Sequence, residues 1–259
     1  MNTSEHWVTT PQGRLYAQRW TPAADTGRAP LLLFHDSLGC VALWRDWPAA
    51  LAQATGRGVV AYDRLGFGRS DPCSDTLTPA FVQHEAAANL PALCEQLGLH
   101  QFVAFGHSVG GGMAMHVAAH AGPRCVGLVT ESAQVFAEDH TLAGIRSART
   151  QFADPAQLER LARYHGTKAR WVVDAWTDTW LASDFADWSL DAVLPQVHCP
   201  ALVMHGRQDE FGTLLHPQRI AAGLAGPVQT LLLDCGHVPH RELPEPVLAA
   251  VADWLRPLA

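Results

Sequence analysis

The 259-residue chain contains no run of roughly eighteen consecutive apolar residues, the length a helix needs to cross a bilayer, and no membrane-spanning helix is expected. Nor does Met1-Asn2-Thr3-Ser4-Glu5 present a basic end followed by an apolar stretch, so no signal peptide is expected either. Positive charge is scarce and dispersed: 18 Lys plus Arg stand against 25 Asp plus Glu, a formal net charge of −7, with no basic cluster. This argues against nucleic acid and anionic membrane surfaces as partners. The six cysteines (Cys40, Cys73, Cys94, Cys125, Cys199, Cys235) include no C-x-x-C pair. A chain of this size builds its core without covalent staples, and the thiols are expected to be reduced, in the cytoplasm. Internal repeats and low-complexity tracts are also missing, which excludes solenoids.

What remains is a chain with 48% apolar residues, long enough for one large domain with a sizeable core. Alternation in residues 7–9 and 15–20, around Pro11-Gln12-Gly13, predicts an antiparallel hairpin at the start. The texture then changes to short continuous apolar runs at 31–34, 58–62, 102–105 and 126–129, the pattern of strands buried on both faces of a parallel sheet. Helical stretches separate several of them. One starts at Thr78-Pro79 and runs to Leu97 before Gly98, with Pro91 imposing a kink or break; another covers 113–121 before Gly122-Pro123; the last lies near 246–255. This alternation predicts an α/β domain with a mostly parallel central sheet and flanking helices.

Between residues 132 and 197 the strand pattern stops. Helices are expected at 142–152, at 155–164 with Asp154 as its cap, and at 169–181. The stretch is short for an independent domain and lies between a strand ending near Thr130 and one beginning at Ala201. It is read as a helical cap (132–197) inserted late in a core made of 1–131 and 198–259.

The chemistry centres on Gly106-His107-Ser108-Val109-Gly110, which follows an apolar run and precedes a glycine-rich helix start. A serine on such a strand-turn-helix junction is lifted clear of the sheet, and flanking glycines avoid a collision across the turn. Two partners follow, each just after an expected strand: Asp209 behind 201–205, and His237 behind 230–233. The order serine, acid, histidine is the one this elbow uses. Imidazole can take the serine proton near neutral pH, and a carboxylate fixes its tautomer.

With these residues in view the chain resembles the alpha/beta-hydrolase fold superfamily over essentially its full length, in its serine-nucleophile, esterase-like branch. Phe34-His35-Asp36-Ser37-Leu38-Gly39 looks like the family's loop after the third strand, and the segment from Tyr62 through Asp63, Gly66, Gly68 and Ser70 resembles its D-x-x-G-x-G-x-S turn. The resemblance implies Ser108 as nucleophile, His237 as general base, Asp209 as orienting acid, and the backbone N–H groups of Val109 and Ser37 as oxyanion donors. It implies no cofactor and no metal. Asp36 is a departure, since the family usually has glycine there. Its carboxylate either faces the oxyanion hole or accepts backbone N–H bonds in the loop through Leu38 and Gly39.

Each of these residues has a rival. His240 competes with His237, and Glu131, at the end of the strand after the elbow, competes with Asp209 as the acid. His116 and His120 are four apart on a helix but lack the glutamate of H-E-x-x-H and any indicated third ligand, so metal binding is set aside. Of Trp171, Trp176, Trp180 and Trp188, most are expected to pack the cap onto the core, with Trp176 and Trp180, together with His35, as candidates for contact with an apolar substrate. The expected activity is hydrolysis of a small or medium apolar carboxylic ester through an acyl-enzyme. Lactonase, thioesterase and carbon–carbon bond hydrolase activities share the triad, and a slow-turnover ligand receptor is the alternative outside enzymes. A small-molecule ester is the only partner implied, and oligomeric state is left open.

Overall fold

A computed structural model describes residues 1–258. Eight strands form one sheet in the order β1-β2-β4-β3-β5-β6-β7-β8. They are β1 (Asn2–Thr10), β2 (Gly13–Thr21), β3 (Leu31–Phe34), β4 (Val59–Tyr62), β5 (Phe102–His107), β6 (Cys125–Glu131), β7 (Ala201–Gly206) and β8 (Val228–Leu233). The hairpin β1–β2 is antiparallel and joins β4 antiparallel, while all pairings from β4 to β8 are parallel. The α/β architecture read from the sequence is therefore the one observed.

The helices are α1 (Trp47–Thr55), α2 (Phe81–His84), α3 (Leu90–Gln96), α4 (Val109–Ala121), α5 (Asp139–Gln151), α6 (Pro155–His165), α7 (Ala169–Trp180), α8 (Leu215–Gly223), α9 (Pro239–Glu242) and α10 (Pro244–Leu255). Because strand side chains alternate, Leu32, Phe34, Ala104, Leu128 and Val203 pack on the face covered by α4, and Leu31, Leu33, Val103, Val129 and Leu202 pack with Leu51, Val247 and Val251 of α1 and α10. Both faces are buried, which explains the uninterrupted apolar runs.

The helix expected from Thr78 is not continuous. A π-helical turn, Glu85–Asn89, separates α2 from α3 and places Pro91 in the first turn of α3. Proline has no N–H to complete the helical ladder, and the widened turn shifts the hydrogen-bond register ahead of it.

Residues 132–197 contribute no strand to the sheet and carry α5, α6 and α7. Asp154 accepts the Ala156 N–H at 2.9 Å and caps α6. Leu161, Ala169, Val172 and Val173 close a small apolar cluster around Phe67, in the loop after β4. Trp171 packs so tightly over that loop that a Cβ at Gly66 would lie 2.3 Å from its ring. No described helix is long and apolar enough to cross a membrane.

Candidate active site

The site lies at the carboxyl ends of the parallel strands, where open α/β sheets place their ligands. Ser108 sits between β5 and α4 with φ 57° and ψ −128°, a conformation L-residues rarely hold. The surroundings force it. A Cβ at Gly106 would come within 2.1 Å of the Gly110 carbonyl oxygen, and one at Gly110 within 2.2 Å of the Phe34 carbonyl oxygen. Only glycine allows α4 to start this close to both β5 and the loop after β3. The Ser108 N–H is tied to the Glu131 carbonyl at 2.8 Å, which anchors the turn to β6.

His237 and Asp209 arrive from the ends of β8 and β7. The His237 Nδ1–H donates to both Asp209 carboxylate oxygens, at 2.8 and 2.9 Å, so the ring's Nε2 is left without a proton when the imidazole is neutral. Asp209 Oδ1 also accepts the Phe211 N–H at 2.7 Å, and the carboxylate is fully buried. Burial pushes the Asp209 carboxyl up, but the His237 hydrogen bond and charge, with the Phe211 N–H, outweigh it and hold the group below the usual carboxylate range. Ser108 and His237 open on one cavity of about 250 Å³. Leu38, Leu43, Ile145, Leu161, Phe211 and Val238 supply apolar wall, and Trp176 and Trp180 complete it from α7. Trp188 lies behind Trp180, its ring centroid 5.4 Å away, while Trp171 belongs to the contact with Gly66.

Of the two expected oxyanion donors, Ser37 lines the cavity from the loop after β3, whereas Val109 is buried directly after the Ser108 that does. Val109 opens α4, where the first amides of a helix find no acceptor within it. Asp36 takes the second of its two arrangements: Oδ1 accepts the Leu38 N–H at 2.9 Å, and Oδ2 lies 3.3 Å from His107 Nδ1. The expectation that His35 contacts substrate is corrected. Its ring is buried, with Nδ1 bonded to the Asp36 carbonyl at 2.8 Å and Nε2 accepting the Arg64 N–H at 3.2 Å, and it is not among the residues lining the cavity.

Of the rival residues, Glu131 is occupied by His240: its oxygens accept the His240 N–H at 2.6 Å and pair with the ring Nδ1 at 2.7 Å. This second buried acid–histidine pair lies beside the first without exchanging partners. Gln134 was not singled out by the sequence. It is buried in the loop after β6, and its Oε1 accepts the Ser108 hydroxyl at 3.3 Å. The one signal for it is position, a polar side chain just past the carboxyl end of a core strand.

The sequence model of the alpha/beta hydrolase family matches residues 31–250, and the chain belongs to that family. A proline iminopeptidase of Levilactobacillus brevis is 29% identical over 266 residues, 87% of this chain and 88% of that protein. A proline iminopeptidase of Lactobacillus delbrueckii subsp. lactis is 37% identical over 90 residues, which span 35% of this chain and about a third (31%) of the relative's length. Among solved structures, 2-hydroxy-6-oxo-6-phenylhexa-2,4-dienoate hydrolase from a Rhodococcus species superposes with a TM-score of 0.81 at 18% identity, covering 98% of this chain and 99% of that one. At that identity the likeness speaks for the fold alone.

Proposed function

We propose that this hydrolase-family protein is a serine hydrolase that cleaves carboxylic esters of small or medium apolar acids and alcohols through an acyl-enzyme. The observation that carries the reading is a His237–Asp209 pair opening on the same apolar cavity as a serine held in a strained turn. On this reading the Ser108 oxygen leaves Gln134, attacks the acyl carbon, and passes its proton to His237 Nε2. Asp209 stabilises the imidazolium while the Val109 and Ser37 N–H groups hold the oxyanion, each donor contributing roughly 3 kcal/mol. Collapse breaks the bond to the alkoxy oxygen, which leaves with the His237 proton. Water repeats the sequence and frees the acid. Residues 132–197 act as the cap that closes the cavity, and the cytoplasm, where six thiols stay reduced, suits the chain.

The relatives' name brings a peptidase into consideration. An aminopeptidase must pair the substrate's ammonium group with a carboxylate, because an unpaired charge is costly to bury. Among the described residues lining the cavity Asp36 is the one carboxylate, and it is engaged by Leu38 and His107. Esters are favoured for that reason. Lactones, thioesters and carbon–carbon cleavage substrates use the same machinery and belong in the same panel.

Two measurements test the reading. A fluorophosphonate should label Ser108 and no other serine, since only a base-activated hydroxyl attacks that phosphorus at neutral pH. Steady-state assays should show multiple turnovers of p-nitrophenyl butanoate and at least ~10²-fold lower kcat/KM for proline p-nitroanilide, the penalty of about 2.7 kcal/mol that an unpaired ammonium implies. Labelling elsewhere would end the serine assignment. Preference for the prolyl amide would move the protein to the peptidases, and a single slow acylation to the receptors.

A further inference from the structure

His107 lies between Gly106 and the candidate nucleophile, is buried, and has an acceptor at each ring nitrogen. Nδ1 is 3.3 Å from Asp36 Oδ2, and Nε2 is 2.9 Å from the carbonyl oxygen of His237. A carbonyl and an ionised carboxylate can only accept. A neutral imidazole has one N–H, and its bare nitrogen would face a lone pair; an imidazolium satisfies both contacts. The other Asp36 oxygen is taken by the Leu38 N–H. One buried cation thus links the loop carrying Ser37, the residue preceding Ser108, and the backbone of His237.

The groups packed around His107 agree with a charged ring. Asp36 faces it from the loop after β3 and Glu131 from the end of β6, while His237 and His240 approach with ring centroids 5.1 and 5.3 Å away. Trp44 covers it at 6.4 Å, and Arg241 of α9 lies near enough to act on Asp36. Glu131 is engaged by His240, so Asp36 is the carboxylate in contact. Burial by itself would drive the His107 pKa down; the Asp36 hydrogen bond, the Glu131 and Asp36 charges and the His237 carbonyl reverse this and raise it to about 8.

We propose that His107 and Asp36 form a positioning ion pair that sets the spacing between the Ser37 oxyanion donor and the His237 base. The proposal rests on the serine-hydrolase reading and accounts for an aspartate where the family usually has glycine. The folded-state pKa of His107 lies above the free value of about 6.5. The pair's contribution is therefore fully present below that value and lost as pH rises through about 8.

The test uses the full chain as wild type, Asp36→Asn, His107→Gln and the double variant, with kcat and KM for p-nitrophenyl butanoate from pH 6 to 10 and fluorophosphonate labelling in parallel. Each single change should lower kcat by ~10- to 10²-fold, the scale of a displacement of about 1 Å, with KM altered less than about twofold. The double variant should be no worse than the poorer single one. Wild-type kcat should decline through about pH 8, and Asp36→Asn should move that limb to lower pH by removing the carboxylate that favours the cation. Additive losses with an unmoved alkaline limb, or single variants within about twofold of wild type, would overturn the pair while Ser108 is still labelled. Absence of both labelling and turnover in the wild type would remove the hydrolase reading and this proposal with it. If His107→Gln fails to fold, the partly exposed Asp36 side chain keeps the test intact, because the limb shift needs only Asp36→Asn.

Discussion

Replacing Ser108 by alanine is expected to lower kcat by ~10⁴ to 10⁶-fold while leaving the protein folded. The size follows from what the hydroxyl alone supplies. On the proposed reading Val109, Ser37, His237 and the apolar cavity remain, so substrate would still bind, but the only attacking group left is water, which His237 would have to activate without the advantage of a tethered nucleophile. The structural cost is small. Alanine keeps the Cβ and meets the same positive φ of 57°, and what is lost is a 3.3 Å hydrogen bond to Gln134, worth about 1 kcal/mol. A glycine variant separates chemistry from strain: equally inactive, it should be more stable than the alanine variant by about 1 kcal/mol, because glycine holds this conformation without penalty. Activity of purified protein and urea midpoints check both. An alanine variant within tenfold of wild type would remove Ser108 from the reaction.

Much of this site is legible in the sequence because each of its main groups has a local marker. Ser108 is announced by flanking glycines, and Asp209 and His237 by the apolar strands directly before them. The fold is legible for the same reason: β3 to β7 are buried on both faces and stand out as apolar runs, whereas β1 alternates between exposed and covered positions. What escaped has no local marker. Gln134 meets Ser108 across 26 residues, His107 meets His237 across 130, and Glu131 meets His240 across 109, contacts made by the sheet's strand order and by no spacing in the chain. His35 illustrates the converse: its neighbours in sequence suggest a cavity, yet its ring turns back to bond Asp36 and Arg64. Pro91 does signal a break, but a proline cannot say that the break is taken as a π turn ahead of it.

The acid assignment gives the other large effect. Asp209→Asn is expected to lower kcat/KM by ~10³ to 10⁴-fold, whereas Glu131→Gln should stay within about tenfold of wild type and instead lower stability. The asparagine NH₂ presented to His237 Nδ1 would favour the tautomer protonated on Nε2, the nitrogen that must accept the serine proton, and the imidazolium formed in the reaction would lose its counter-charge. Phe211 could still donate to the amide oxygen, so the loop after β7 should hold its shape and the loss should fall on chemistry. Glu131 is in the opposite position. Both its oxygens are spent on His240, and its side chain is wholly buried, so a glutamine there either sets its NH₂ against a His240 donor or turns the ring to the tautomer whose buried Nε2–H finds no acceptor among the described residues. Leaving such a contact unmatched costs about 2 kcal/mol, read as a lower urea midpoint at unchanged slope. Burial raises the Glu131 carboxyl, but the His240 charge and hydrogen bonds hold it below the usual range, so its contribution to stability is present at neutral pH and is lost on acidification through that depressed value. The two variants should therefore separate cleanly, one losing rate and the other stability. A fully active Asp209→Asn beside an inactive but stable Glu131→Gln would transfer the orienting role to Glu131.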